Sequence, residues 1–343
     1  MFKRVSLILL VVSLLFVLAF SSVSFSKAII WKSSGHGPAS DPSQIFHDKV
    51  CEAITKASGG RLIVKPFVGG SIVPATKELD AVDQGVLQMA YTCPMYNLDK
   101  WKAAGLISSR PGGLPGEALR TWFDYAGGAD LMNKMMKGYN IMTFPGALSP
   151  LPPEVFLHSK KPIKTVEDLK GLKLRAAGDG GEILKRLGAN VVFLPGGELF
   201  EAMQRGTISA FEYSTLATNW KMHFNEIAKY VILSPVRAPS DPQVFFVNKK
   251  AWEKLPDDLK QLVKDVIGKW TQAQHEFLVY ESIKALNEFK EYGCEVYRLP
   301  KEVEDAISEE AVKFYAEKAK KESPIYKEIL DSMNNFWKAY SNM

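Results

Sequence analysis

At 343 residues the chain is long enough for two domains of about 100–200 residues each. Hydrophobic residues make up 46% and charged residues 24%, a globular balance that excludes a disordered, fibrous or polytopic membrane protein. Lys plus Arg total 43 against 38 Asp plus Glu, and the +5 excess is interleaved with acids instead of clustered, so no nucleic-acid partner is expected.

Lys3 and Arg4 precede an apolar run, Val5–Phe20, of 16 residues. The small polar stretch Ser21–Ala28 follows, in which Ser26-Lys27-Ala28 fits a small-x-small cleavage site. The run is short of the roughly 20 residues of a membrane span, and no Cys at the boundary offers a lipid anchor. Residues 1–28 therefore read as a cleaved export signal, with the mature chain starting near Ile29. Cys51, Cys93 and Cys294 are odd in number and widely spaced, so they read as buried free thiols, not a disulfide framework.

From Ile29 onward strands and helices alternate. Ile29–Ser33 reads as a strand. Asp41-Pro42-Ser43-Gln44 starts a helix, with an acceptor at the N-cap and Pro at N1, and Gly59-Gly60 stops it. Arg61–Phe67 and Val86–Thr92 read as strands flanking a helix over Glu78–Gln84. After the Pro-rich Pro145–Pro153 crossover, strands are expected at Val155–His158, Leu172–Arg175, Val191–Leu194 and Ile208–Glu212, with helices at Gly181–Leu187 and Glu198–Arg205. Pro235–Pro242 reads as a second crossover, leading through Val244–Asn248 to a long helix, Asp257–Tyr292, and a short strand, Cys294–Leu299. Residues 302–343 read as two amphipathic helices around Pro324.

This pattern predicts an α/β fold with helices covering mainly parallel sheets, in two lobes joined by hinge crossovers. Residues 29–150 with 239–278 are assigned to lobe I, 151–238 with 279–301 to lobe II, and 302–343 to C-terminal helices. Such a cleft suits a protein that closes on a small ligand. The signatures of enzymes are missing: the chain has no H-x-x-x-H or C-x-x-C zinc pattern, no G-x-S-x-G elbow and no phosphate loop.

The most specific segment is Pro162–Glu212, with PIKTVEDLKGLKLR followed by LGANVVFLPGGELFEAMQRGTI. It resembles the periplasmic solute-binding proteins of tripartite ATP-independent (TRAP) transporters, and further matches extend the likeness over nearly the whole mature chain. YAGGADLMNKMMKGYNIMTFP and the Glu212-Tyr213 pair look most like the subfamily that binds 2-oxo or 2-hydroxy acids with a metal ion. The resemblance implies a two-lobed, type II-like periplasmic binding protein without enzymatic activity. Its partners would be a small organic acid and the membrane permease subunits.

Candidate residues follow. Arg175 ends a strand with Lys173 on its face. By spacing alone it is an exposed cation as readily as a cleft residue, but the resemblance makes it the holder of the ligand carboxylate, through a planar fork that Lys lacks. Glu212 reads by itself as a solvated or ion-paired carboxylate. The resemblance implies that it and the Tyr213 carbonyl coordinate a hard cation, Ca²⁺ or Na⁺. Pro150, Pro152 and Pro153 fall where the subfamily offers a Gln, leaving Glu154 as its substitute. Asp241 is the acid beyond the second crossover, and Glu154 and Asp241 serve equally well as partners of an arginine. Tyr96 resembles the family's cleft tyrosine, Phe67 ends the second strand, and Trp220 either lines the cleft or packs on a helix surface. Two rival readings stay open: the same fold binding an aromatic or sugar acid without metal, and an exported enzyme with Glu212 as general base. The apolar stripe ending in Phe336, Trp337 and Tyr340 predicts a homodimer by exchange of the last helix, the alternative being packing on its own lobe.

Overall fold

Two β-sheets drawn from interleaved parts of the chain organise the protein. The computed structural model describes residues 27–343, so the segment 1–28 read as an export signal lies, but for its last two residues, outside the described residues. β1 (Ile29–Gly35), β2 (Leu62–Phe67), β3 (Met89–Thr92), β4 (Ile141–Met142) and β5 (Leu148–Ser149) belong to the first sheet. The chain then enters the second sheet as β6 (Val155–Ser159), β7 (Lys173–Arg175), β8 (Asn190–Val192), β9 (Ala210–Tyr213) and β10 (Tyr230–Leu233). It returns to the first as β11 (Gln243–Asn248) and ends the second as β12 (Glu295–Arg298). The orders are β2-β1-β3-β11-β4, with β5 also on β11, and β12-β10-β6-β9-β7-β8.

The sheets are mixed, which corrects the expectation of mainly parallel ones. β1 runs parallel to β2 and β3, and β7 parallel to β8 and β9, as right-handed β-α-β connections require. The two antiparallel intruders are β11, against β3, β4 and β5, and β6, against β9 and β10. Each is the first strand after a proline-rich crossover, so each enters its sheet from the neighbouring lobe and in the opposite direction.

Helix α1 (Pro42–Ala57) starts where the composition says it should. The Asp41 side chain accepts from the Ser43 N–H, Pro42 fills the first turn, and Phe46, Val50, Cys51 and Ile54 are buried. Helix α2 (Gly178–Arg186) follows β7 directly. Helix α3 (Asp257–Tyr292) has 36 residues, about 54 Å at the usual rise. It packs on α1 in one lobe and on the short helix Leu216–Lys221 in the other, and Gly293 stops it at φ 101°. Two more helices complete the chain. α4 (Lys301–Lys321) lies against α2, while α5 (Pro324–Tyr340) lies against helices Gly116–Tyr125 and Gly128–Met135 of the first lobe. Tyr326, Ile329, Leu330 and Met333 of α5 are buried there, the packing that the own-lobe alternative requires. All three cysteines are buried and free. Among the described residues no helix is long and apolar enough to cross a membrane.

Candidate functional site

The carboxyl end of β7 delivers Arg175 into the seam between the sheets, where its side chain is 2% exposed. Its Nε donates to the Leu194 carbonyl (2.9 Å), and its Nη1 donates to the Glu212 carbonyl (2.8 Å) and to Glu212 Oε1 (3.0 Å). The Ala177 N–H donates to the same carboxylate oxygen at 2.6 Å. Three of the five guanidinium N–H groups are thus committed to the protein. Among the described residues Nη2 has no partner, so the fork expected from the sequence is reduced to a single nitrogen that offers two hydrogens.

The second Glu212 oxygen faces Arg237 Nη1 at 3.1 Å, and Arg237 Nη2 donates to Glu154 Oε2. Arg237 is 1% exposed and was not among the residues singled out in the sequence. Its only signal there is a lone arginine between prolines in the second crossover, PVRAPSDP, a segment read for its hinge role alone. The alternating chain Arg175–Glu212–Arg237–Glu154 ties two strands of the second sheet to both crossovers. Asp241 lies beside it: Cys93 Sγ donates to its Oδ2 at 3.8 Å, while Oδ1 is buried with no hydrogen-bond partner.

These groups surround a cavity of about 20 Å³, room for one or two water-sized bodies. The first lobe contributes Asp41, Cys93 and Tyr96 to it, and the second contributes Arg175, Glu212 and Tyr213. Asp41 caps α1 through Oδ1, and its Oδ2 accepts a long hydrogen bond (3.5 Å) from the Tyr213 hydroxyl, a direct contact between the lobes. Behind the cavity a buried polar chain leads from Gln243 to Gln274 on α3 (3.1 Å) and on to Ser43 (3.2 Å), which fixes the wall to the long helix. Of the remaining sequence candidates, Phe67 and Trp220 are not brought to this cavity. Phe67 ends β2 with its carbonyl accepting from Gln44 Nε2, and Trp220 sits edge-on against Phe289, 5.2 Å between ring centroids.

The electrostatics favour positive guests. Four carboxylates, Asp41, Glu154, Glu212 and Asp241, line the cavity beside one arginine, Arg175, while Arg237 behind them pairs with Glu154 and Glu212. Burial pushes the Asp241 carboxyl well above the usual carboxylate range, and Glu154 and Glu212 add to the rise. Glu154 is also raised by burial, against the pull of Arg237. Burial lowers His36, on the first-lobe side, despite Asp41 nearby. Oxygen donors in excess over positive partners suit a hard cation, and the orphaned Asp241 Oδ1 is an open ligand position. The donors are not pre-assembled, however. Among the described residues no three His, Cys, Asp or Glu side chains form a ready-made metal cage, and the Tyr213 carbonyl already accepts from Asn219 Nδ2 at 2.6 Å.

A larger cavity of about 610 Å³ adjoins the small one, and Met95 and Tyr96 line both. Val192, Phe193 and Ala177 of the second lobe and Phe314 and Lys318 of α4 form its other walls.

Two α/β lobes joined by crossovers, with a buried arginine–carboxylate cluster at their seam, define a two-lobed solute-binding protein. The family pattern of bacterial extracellular solute-binding protein, family 7 (DctP) matches residues 34–322, and the chain belongs to that family, the binding proteins of TRAP transporters. It is similar to a monocarboxylate 2-oxoacid-binding periplasmic protein from a Nostoc species, 28% identical over 313 residues, 90% of this chain and 83% of that protein. Among solved structures, a TRAP periplasmic solute-binding protein from Colwellia psychrerythraea with bound calcium and pyruvate is 30% identical, with a TM-score of 0.86 over 92% of this chain and 97% of the other. A second, from Pseudoalteromonas atlantica with bound sodium and pyruvate, is 27% identical, with a TM-score of 0.86 over 92% and 96%. Delivery of solute to a membrane permease is the role of this family, which is one of transport proteins and not of enzymes.

Proposed function

We propose that this protein captures a small 2-oxo or 2-hydroxy monocarboxylate, together with Ca²⁺ or Na⁺, at the Arg175–Glu212 cluster, and releases it to its permease in the periplasm. The observation that carries this reading is the pairing of one unspent guanidinium nitrogen, Arg175 Nη2, with one unspent carboxylate oxygen, Asp241 Oδ1, around a single buried cavity. The first suits an anion and the second a cation, and an oxo acid with its counter-ion brings both. Similarity to proteins solved with pyruvate and calcium or sodium supports the choice of acid and ion.

Arg175 is positioned before any ligand arrives, because Leu194 and Glu212 hold its other hydrogens. The acid's carboxylate accepts from Nη2 in a site from which closure has removed water, where a charge-assisted hydrogen bond is strongest. Asp241, Glu212 and the Tyr213 carbonyl are the residues that would hold the cation, whose chemistry is to bind the 2-oxo or 2-hydroxy oxygen and neutralise the excess of carboxylates. Arg237 keeps Glu154 and Glu212 apart and paired. The Asp41–Tyr213 contact and the Tyr96 ring close the first lobe over the site. The export signal over residues 1–28 belongs to this reading. So does a homodimer, in its exchanged form: α5 buries Tyr326, Ile329, Leu330 and Met333 on a lobe, and Glu322 and Ser323 form an extended two-residue joint ahead of it.

Native mass spectrometry of the gently purified protein tests the reading. A retained acid accompanied by calcium or sodium is the expected mass. A sugar or a metal-free aromatic acid at full occupancy contradicts it.

A further inference from the structure

The two halves of the molecule also meet away from the small cavity, and the contact there turns on one arginine. Arg110 of the first lobe is buried in the loop between helices Ala104–Ile107 and Gly116–Tyr125. Its neighbour Ser109 holds φ 48°, a left-handed conformation that strains a residue with a Cβ. Arg110 Nη2 donates to Asn334 Oδ1 of α5 at 2.9 Å, a bond within the first-lobe body, because α5 packs on that lobe. The same guanidinium lies over the Tyr315 ring of α4, its Cζ 4.9 Å from the ring centroid, and α4 packs on α2 of the second lobe. That stacking joins one body to the other.

Tyr315 does not act alone. Lys318, one turn further along α4, donates to the buried Asp179 of α2 at 2.8 Å. Burial raises the Asp179 carboxyl, while Lys318 and, from the first lobe, Arg110 oppose the rise. A first-lobe cation thus docks on an aromatic face beside a carboxylate of the second lobe, all three buried, and a desolvated cation–π contact is the strong kind. Asp179 stands four positions beyond Arg175, and between them the Ala177 N–H holds Glu212. The docked arginine is therefore linked to the binding site through the start of α2. Resting on the reading of the seam as the binding site, but not on which acid it takes, we propose that Arg110 is a latch. It is a positioning residue that, docked on Tyr315 beside Asp179, holds the lobes closed and sets how long the solute is retained.

Stopped-flow fluorescence with pyruvate in calcium-containing buffer tests the latch. Lobe separation is followed in parallel by double electron–electron resonance between labels at Lys65→Cys and Gln204→Cys, exposed positions on opposite lobes, the native cysteines being buried. Arg110→Gln and Tyr315→Leu should each raise the dissociation rate about tenfold, leave the association rate within about twofold, and lower the population at the shorter label distance. Tyr315→Phe, which keeps the ring, should match the parent chain. Combining Arg110→Gln with Tyr315→Leu should cost no more than the worse single change, since both remove one contact. A parent-like dissociation rate in Tyr315→Leu, strictly additive single effects, or a loss confined to the association rate overturns the latch. Absence of pyruvate binding by the parent chain contradicts the reading of the seam instead. The label distances without acid then decide the latch, which falls if Arg110→Gln and Tyr315→Leu leave them unchanged.

Discussion

Alternation put Lys173 and Arg175 on one face and left an exposed cation as open as a cleft residue; the resemblance pointed to the cleft, and Arg175 is 2% exposed in the seam. What alternation does not carry is the company it keeps. Leu194, Glu212 and Arg237 come from a loop, another strand and a crossover, 19, 37 and 62 positions away, and only the folded sheet brings them together. Replacing Arg175 by Lys removes the guanidinium that serves the Leu194 and Glu212 carbonyls and leaves the Glu212 carboxylate with the Ala177 N–H and Arg237, two partners instead of three. The expected loss in acid affinity is about 3 kcal/mol, on the order of a hundredfold in Kd, by calorimetry; near-native affinity would show that the guanidinium is dispensable. Glu78 carries a separate consequence. It is buried in the first lobe with neither carboxylate oxygen hydrogen-bonded, and burial pushes it up to about 8 from 4.5. Between those values the folded protein keeps a proton that the unfolded chain has released, so stability falls as pH rises through this window and levels off above it, by at most about 1.4 kcal/mol per pH unit. Glu78→Gln, neutral throughout, should flatten this part of the pH profile of thermal unfolding and raise the melting temperature at pH 8.5.

Elements with strong punctuation were readable almost to the residue. The long helix runs over Asp257–Tyr292 as its periodicity and the following Gly293 indicate, and α1 obeys Asp41-Pro42 at one end and Gly59-Gly60 at the other. Helices Gly116–Tyr125 and Gly128–Met135 and the strand Tyr230–Leu233 were not read. The helices are separated by Ala126 and Gly127 only, the latter in a left-handed turn at φ 84°, and the strand has no alternation because both of its faces are covered. Strand direction was equally hidden, since nothing local in β6 or β11 states from which lobe the chain arrives. The C-terminal pair bears on assembly. Because α4 docks on the second lobe and α5 on the first, an exchanged dimer reproduces these contacts between subunits and adds exposed rings such as Trp337, 38% exposed. Sedimentation at tens of micromolar is expected to show a dimer for the intact chain and to lose it when residues 324–343 are deleted. A monomeric intact chain removes the exchange.

At the scale of the whole molecule, binding is a closure equilibrium, and closure depends on how near the lobes can approach away from the ligand. Gly105 marks one such point. A Cβ there would lie 2.8 Å from Oδ2 of Asp179, the α2 side chain whose other oxygen Lys318 of α4 holds at 2.8 Å. Gly105→Val should therefore wedge the lobes apart. The expected results are an affinity about tenfold lower, with Arg175 and Glu212 untouched, and a larger radius of gyration by X-ray scattering at the same degree of ligand addition. Unchanged affinity would show that the closed approach of α2 to the first lobe is not needed for capture. On the proposed reading, one monocarboxylate and one hard cation share the seam at Arg175 and Asp241. Calorimetric titration of metal-stripped protein with a short 2-oxo acid, in parallel with calcium and with chelator, tests it most directly. Saturable one-to-one binding in calcium and at least a tenfold weaker affinity in chelator are expected; equal affinity in both, or no binding in either, would rule out the shared seam.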